Sequence, residues 1–212
     1  MKTELRKRVL QAVMGLFAAS ICVAQTDGLG GLLDTNVLGD IGVPVIESGT
    51  YTDEDTGFSI MVPDGFSGLG LPLPEVSIWV ADGRQEEYAG DSAIGVQFLV
   101  ASFPSESHRR YPGFDSDEPA GIEAHLNGLV SSSPIPGGEF TVSEVTHTLV
   151  SGRSGLRIEF GFRPASGSGA MHGTIYTVRH NGRSFVIPYL AGEGQEQRLR
   201  AFAEENIRTF RL

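Results

Sequence analysis

The dipeptide Asn181-Gly182, set between strand-like runs at 170–180 and 183–190, restricts this chain more than any other feature. A two-residue type I′ turn needs positive φ at both central positions, which asparagine and glycine accept most readily. The turn fixes the register of the two strands. His180 faces Arg183, Val178 faces Phe185, Tyr176 faces Ile187 and Thr174 faces Tyr189, and these pairs form a buried face. Pro188 then lies opposite Ile175 at a site that makes no bond to this partner, so its missing N–H points away from the hairpin. The far side of that strand should therefore be an edge or a disrupted ladder.

The flanking segments supply what such a hairpin needs to become stable. In 155–163, Leu156, Ile158, Phe160 and Phe162 share one face, while Arg157, Glu159 and Arg163 share the other. Downstream, 195–210 reads as an amphipathic helix with Leu199, Phe202, Ala203, Ile207 and Phe210 on one stripe. Full burial of each large side chain contributes about 1.5–3 kcal/mol, enough to hold the helix on the sheet.

Earlier in the chain, 50–52 and 58–62 predict a first hairpin around Asp53, Glu54, Asp55, Thr56 and Gly57, stopped by Pro63. The three acidic residues lack the alternation and distal glutamate of a calcium loop, so they read as a solvated turn. The stretch 64–74, with glycines and prolines at 72 and 74, reads as an irregular surface loop. Strands are expected at 75–81 and 93–103, the second buried on both faces. After a polar loop at 104–118, Ser116 or Asp117 caps a helix whose first turn holds Pro119 and whose face carries Ile122, Leu126, Leu129 and Val130. Gly121 and Gly128 each cost that helix up to about 1 kcal/mol, so it depends on docking. A strand over 140–150 follows and turns through Ser151 and Gly152.

The N-terminus has the pattern of a secretory signal over 1–24. Lys2, Arg6, Lys7 and Arg8 precede an apolar run ending at Ala24, with cleavage expected before Gln25. The run is too short and interrupted for a clear membrane span, although an uncleaved anchor is the alternative. A lipoprotein reading of Cys22 is disfavoured by the bulky Ile21 before it. Residues 25–49 read as a flexible spacer of glycine, leucine and aspartate, with Leu29, Leu32 and Leu33 as its only candidates for docking. One globular domain is expected over 50–212.

Of 16 basic and 26 acidic residues, the first 24 hold four and one, leaving 12 against 25 and a net charge of −13. All of the remaining cations are arginines, which excludes a Schiff-base or P-loop lysine. The acidity argues against nucleic acid as a partner. Loss of Cys22 with the signal removes any disulfide, thiol nucleophile or cysteine metal site.

Chemistry-bearing motifs are sparse. There is no Gly-x-Ser-x-Gly and no His-Glu-x-x-His. His172 and His180 share a strand face but are about 26 Å apart at about 3.3 Å per residue, too far for one zinc ion. His147 has room to approach either across neighbouring strands. No metal and no cofactor is expected. Two groups of candidate site residues stand out. Arg157, Arg163 and Arg179, with Glu159, form a possible outward anion or partner site, set against the plainer reading of a surface charge ladder. Glu106, His108, Asp115 and Asp117 cluster on the 104–118 loop.

Tyr51, then Thr56-Gly57-Phe58-Ser59-Ile60-Met61-Val62-Pro63-Asp64-Gly65-Phe66, resembles the start of PsbP-like domains, where a Gly-Phe-Ser-aliphatic strand runs into proline and then a Gly-aromatic step. The ending Ile207-Arg208-Thr209-Phe210 is similar to the family's close, with threonine in place of serine, and Phe66 stands where tryptophan is common. The resemblance spans 50–212. It implies an α+β fold, with a central antiparallel sheet of about six to seven strands flanked by helices in an α/β/α sandwich. It also implies partner binding rather than a shared reaction, and carries over no catalytic residue. The expectation is a secreted or periplasmic, non-enzymatic binding or accessory protein of the bacterial envelope. It is expected to be a monomer with a protein partner or small ligand and no membrane span after signal cleavage. The alternative is a small secreted hydrolase using carboxylate and histidine residues of the 104–118 loop.

Overall fold

A computed structural model describes residues 45–46, 48–70, 76–82, 96–105, 117–131, 138–165 and 169–212. In chain order the strands are β1 (Val45–Ile46), β2 (Gly49–Thr52), β3 (Ser59–Val62), β4 (Phe66–Gly70), β5 (Val76–Asp82), β6 (Gln97–Pro104), β7 (Gly138–Val150), β8 (Arg153–Pro164), β9 (Met171–His180) and β10 (Arg183–Gly192). Helix α1 (Pro119–Ser131) precedes β7, and α2 (Glu196–Ile207) follows β10. Eight strands form one sheet in the order β1-β4-β5-β6-β10-β9-β8-β7, while β2 and β3 pair separately. Every pairing is antiparallel.

Strand alternation divides the interior into two cores. On β10, Phe185, Ile187, Tyr189 and Ala191 enter one core with Leu199, Ala203 and Ile207 of α2. Val186 and Leu190 enter the other, with Ile122 and Leu126 of α1. The two helices therefore cover opposite faces, giving the three-layered α+β sandwich. The β2–β3 hairpin joins α2, burying Phe58, Ile60 and Val62 on its side.

The central hairpin has the predicted register from Arg183↔His180 through Gly192↔Met171. Asn181 and Gly182 have φ of 47° and 71°. The proline signal also has its expected consequence. The β10–β6 ladder pairs Val186 with Ala101 and Tyr189 with Phe98, but skips Ile187 and Pro188.

Among the described residues the sheet has eight strands, against the six to seven expected. Residues 66–70, expected as surface loop, form β4 and pair with β5. Phe66 is buried and stacks on Phe202, their ring centroids 4.8 Å apart. Gly68 lies within β4, and a Cβ there would make ordinary contact with Val62, Ile78 and Val80 at 3.4 Å, so this glycine marks no turn. Val45 and Ile46, assigned to the spacer, pair with Leu69 and Gly68, so sheet pairing starts before Thr50. The signal at 1–24, Leu29, Leu32 and Leu33 lie outside the described residues.

The opening and closing motifs meet. Ser59 and Arg211 exchange backbone hydrogen bonds of 3.0 and 2.8 Å. Phe58 stacks on Phe210, and both are fully buried. Thr209 Oγ1 accepts from the Met61 N–H at 3.0 Å. Asn206 joins the same contact, accepting from the Tyr189 hydroxyl at 3.0 Å and donating to the Met61 carbonyl at 2.9 Å.

Candidate functional site

Both hairpin turns on this side of the sheet, Ser151-Gly152 and Asn181-Gly182, have positive φ at their two central residues. Antiparallel order brings them to the same end of the sheet. Pro104 pairs with Arg183 there, so the 104–118 loop departs from the same end. Helix α1 packs Ile122 and Leu126 into the core with Phe140, Phe160 and Phe162, and Asp117, two residues before the helix, lies at this end. An open cleft of about 310 Å³ remains, lined by Asp117, His147, Ser154, Gly155, Leu156, Thr177, Val178, Arg179, Ser184 and Phe185.

The register explains why these residues converge. His147 faces Leu156 across β7–β8, and Leu156 faces Thr177 across β8–β9. Arg179 faces Ser184 across β9–β10. These side chains occupy neighbouring positions on the α1 side of four strands. Gly155 permits the strands' close approach, because a Cβ there would lie 2.1 Å from the Thr177 carbonyl oxygen. At the rim, His147 Nε2 sits 3.5 Å from Asp117 Oδ2, both side chains mostly exposed. Ser184 Oγ lies 3.3 Å from Ser105 Oγ. The cleft thus offers a cation, a carboxylate, an imidazole and several hydroxyls around Leu156.

The predicted arginine group is not assembled as one surface. Arg157 and Glu159 face α2, not solvent. Arg157 contacts Glu159 at 2.7 Å and reaches Glu204 of α2 at 3.6 Å, with the Arg157 and Glu159 side chains 22% and 14% exposed. Thr174 Oγ1 donates to Glu159 Oε2 at 3.1 Å. Burial opposes the Arg157 charge, but the hydrogen bond and charge of Glu159 outweigh it and raise its pKa. Burial pushes the neighbouring Tyr176 hydroxyl up to about 12; Arg157 opposes the rise, and Glu204 and Glu159 add to it. This cluster seats the helix edge. Arg163 is exposed opposite Glu139, and Arg179 projects from the other face into the cleft. The proposed outward ladder is corrected accordingly: α2 covers half of it, and strand parity separates Arg179 from the rest.

Of the loop candidates, Asp117 lies in the cleft, whereas Glu106, His108 and Asp115 lie outside the described residues. His147 approaches neither other strand histidine; its partner is Asp117. His172 instead meets Glu196 at 3.0 Å, on the α2 side. Backbone hydrogen bonds within Glu196 lower its carboxyl pKa, partly offset by slight burial; the Gly194 N–H and His172 lower it further. No group of three metal-ligating side chains occurs among the described residues. Ser154, Thr177 and Ser184 carried no sequence signal, because alternation gives their face but not which positions border a cleft.

No family model and no curated protein matches the sequence. Among solved structures, the chain is similar to cyanobacterial PsbP (CyanoP) from Synechocystis sp. PCC 6803, with a TM-score of 0.53 and 14% identity over 79% of this chain and 94% of that one. The chain has a PsbP-like fold. Lower similarity extends to the Saccharomyces cerevisiae Ran-binding protein Mog1p, at TM-score 0.46 and 13% identity, covering 77% of this chain and 94% of that one. It extends also to LpqN of Mycobacterium tuberculosis, involved in cell envelope biogenesis, at TM-score 0.45 and 12% identity, covering 84% and 95%. In this PsbP-like domain, no described helix is long and apolar enough to cross a membrane.

Proposed function

We propose that this protein is an exported, non-enzymatic binding or accessory protein of the bacterial envelope. The cleft at the turn end of the sheet takes a small polar ligand or a partner's side chain. The observation that carries this reading is the cleft itself. Both faces of the sheet are packed beneath helices, and the gap in that cover is ringed by Asp117, His147, Arg179 and hydroxyl groups. Such a mixture on a partly apolar floor suits orientation and recognition. The signal-like N-terminus and the acidic, lysine-free remainder support export and a protein or small-molecule partner. A PsbP-like fold supports an accessory role without specifying a reaction.

The test is cross-linked capture from a bacterial envelope fraction by the wild type, Arg179→Ala, His147→Ala and Arg163→Ala. The expected result is a defined partner or ligand lost in the two cleft variants and retained in Arg163→Ala. Capture indifferent to both cleft variants would overturn the reading. The hydrolase alternative draws on the Asp117–His147 contact, although an exposed pair at 3.5 Å is a weak arrangement for a general base. Turnover on an ester, glycoside and phosphate panel, abolished by His147→Ala, His108→Ala or Asp115→Ala without a lower Tm, would replace the binding reading.

A further inference from the structure

Among the described residues strand β7 is the last strand of the sheet, so one row of its backbone groups faces outward. Helix α1 caps half of that row. Asn127 accepts from the Phe140 N–H at 2.8 Å and donates to the Phe140 carbonyl at 3.0 Å. Glu123 accepts from the Val142 N–H at 2.7 Å. The side chains thus imitate a neighbouring strand along 140–142. The register shifts between Val142 and Glu144, a bulge that leaves one extra residue on β7. Because outward groups alternate along a strand, the bulge moves the outward set from Phe140 and Val142 to Val145, His147 and Leu149. No described residue outside the strand bonds the backbone of these three. Leu149, on the same outward row, is also 72% exposed.

We infer that this uncapped span pairs with the same span of a second copy, antiparallel about His147, joining the two sheets edge to edge. Three features favour a second copy over an unrelated strand. The free span runs from the bulge to the Ser151-Gly152 turn, so its centre is His147 and the uncapped spans of two copies fall in register. Pairing about that centre sets Val145 opposite the other copy's Leu149 on one face, and Thr146 opposite Thr148 on the other, both favourable cross-strand pairs. The span 145–149 also contains no carboxylate, in a chain with 26 acidic residues and a net charge of −10. The paired span itself therefore adds no like charge to the contact, and Asp117, 3.5 Å from His147 at its centre, faces an imidazole. The two-fold axis would stand perpendicular to the sheet, leaving both clefts open on one face. This arrangement replaces the monomer expected from the sequence and does not depend on the cleft's ligand.

The experiment is sedimentation equilibrium of the full chain from micromolar to high-micromolar concentration, for the wild type, His147→Pro and Leu149→Lys. Proline at 147 removes an outward N–H without touching the β7–β8 ladder, and proline is tolerated at such edge sites. The expected result is a monomer–dimer equilibrium in the wild type, weakened at least about tenfold by each variant with secondary structure preserved. Hydrogen exchange on the wild type provides a second reading should either variant misfold: the amides of Val145, His147 and Leu149 should gain protection as concentration rises. A wild type that stays monomeric, a dimer that persists in both variants, or protection at these amides independent of concentration would overturn the inference.

Discussion

Asn206 offers the sharpest test of how the fold is held together. It lies on the buried side of α2 at 4% exposure, a polar residue in an apolar stripe. Its side chain accepts from the Tyr189 hydroxyl at 3.0 Å and donates to the Met61 carbonyl at 2.9 Å, tying the helix to the central strand and to the first hairpin. Asn206→Ala leaves the Tyr189 hydroxyl unpaired on a residue with no exposure, at a cost of about 1–3 kcal/mol. The Met61 carbonyl, in a partly exposed contact, loses a bond whose net contribution is about 0.5–1.5 kcal/mol. Together these give about 3 kcal/mol, or a fall in Tm of about 6–12 °C for a domain of this size. Urea denaturation of Asn206→Ala, Tyr189→Phe and the double variant measures the coupling directly. In the Asn206→Ala background, Tyr189→Phe should restore stability by about 1–3 kcal/mol, because it removes the buried hydroxyl left without its partner. A loss below about 1 kcal/mol for Asn206→Ala, or full additivity of the two changes, would refute the reasoning.

Three further outcomes follow from local geometry. Asn127→Ala should lower stability by about 1–3 kcal/mol by stranding the Phe140 N–H and carbonyl, and hydrogen exchange should show the Phe140 amide losing protection first. Gly155→Ala should cost about 1–3 kcal/mol in chemical denaturation, since its Cβ would press on the Thr177 carbonyl, which is backbone and cannot swing aside. Burial raises the Asp53 carboxyl, but hydrogen bonds from Ser77, Thr56 and Asp55 outweigh it and leave its pKa below the ordinary value. Its contribution is therefore full above the unfolded carboxylate range and disappears as pH falls through the lowered folded value. Asp53→Asn should flatten the acid limb of a stability–pH profile; an unchanged acid limb would contradict this account.

Much of the architecture was legible because it depends on local rules. The Asn181-Gly182 turn predicts the register of β9 and β10, and Pro188 predicts the gap in the β10–β6 ladder. The loop reading of 66–70 failed because glycine has two uses. It permits turns, but it also sits inside strands, as Gly68 does in β4 beside Val62, Ile78 and Val80. The arginine ladder failed for a related reason. Alternation separates two faces of β8, but it does not say that α2 will lie over the charged one and draw Arg157 between Glu159 and Glu204.

The sequence by itself therefore determined most of the strands, β1 and β4 excepted, and the turns and register of the hairpins, since periods of two and positive-φ positions are properties of a few adjacent residues. It also carried the motifs of a PsbP-like domain at both ends. Only the tertiary structure decided that those ends touch through Phe58, Phe210 and Asn206. It alone brought Asp117, His147 and Arg179 together around one cleft. Contacts between residues far apart in the chain depend on how helices of given length settle on a twisted sheet, and no local pattern encodes that.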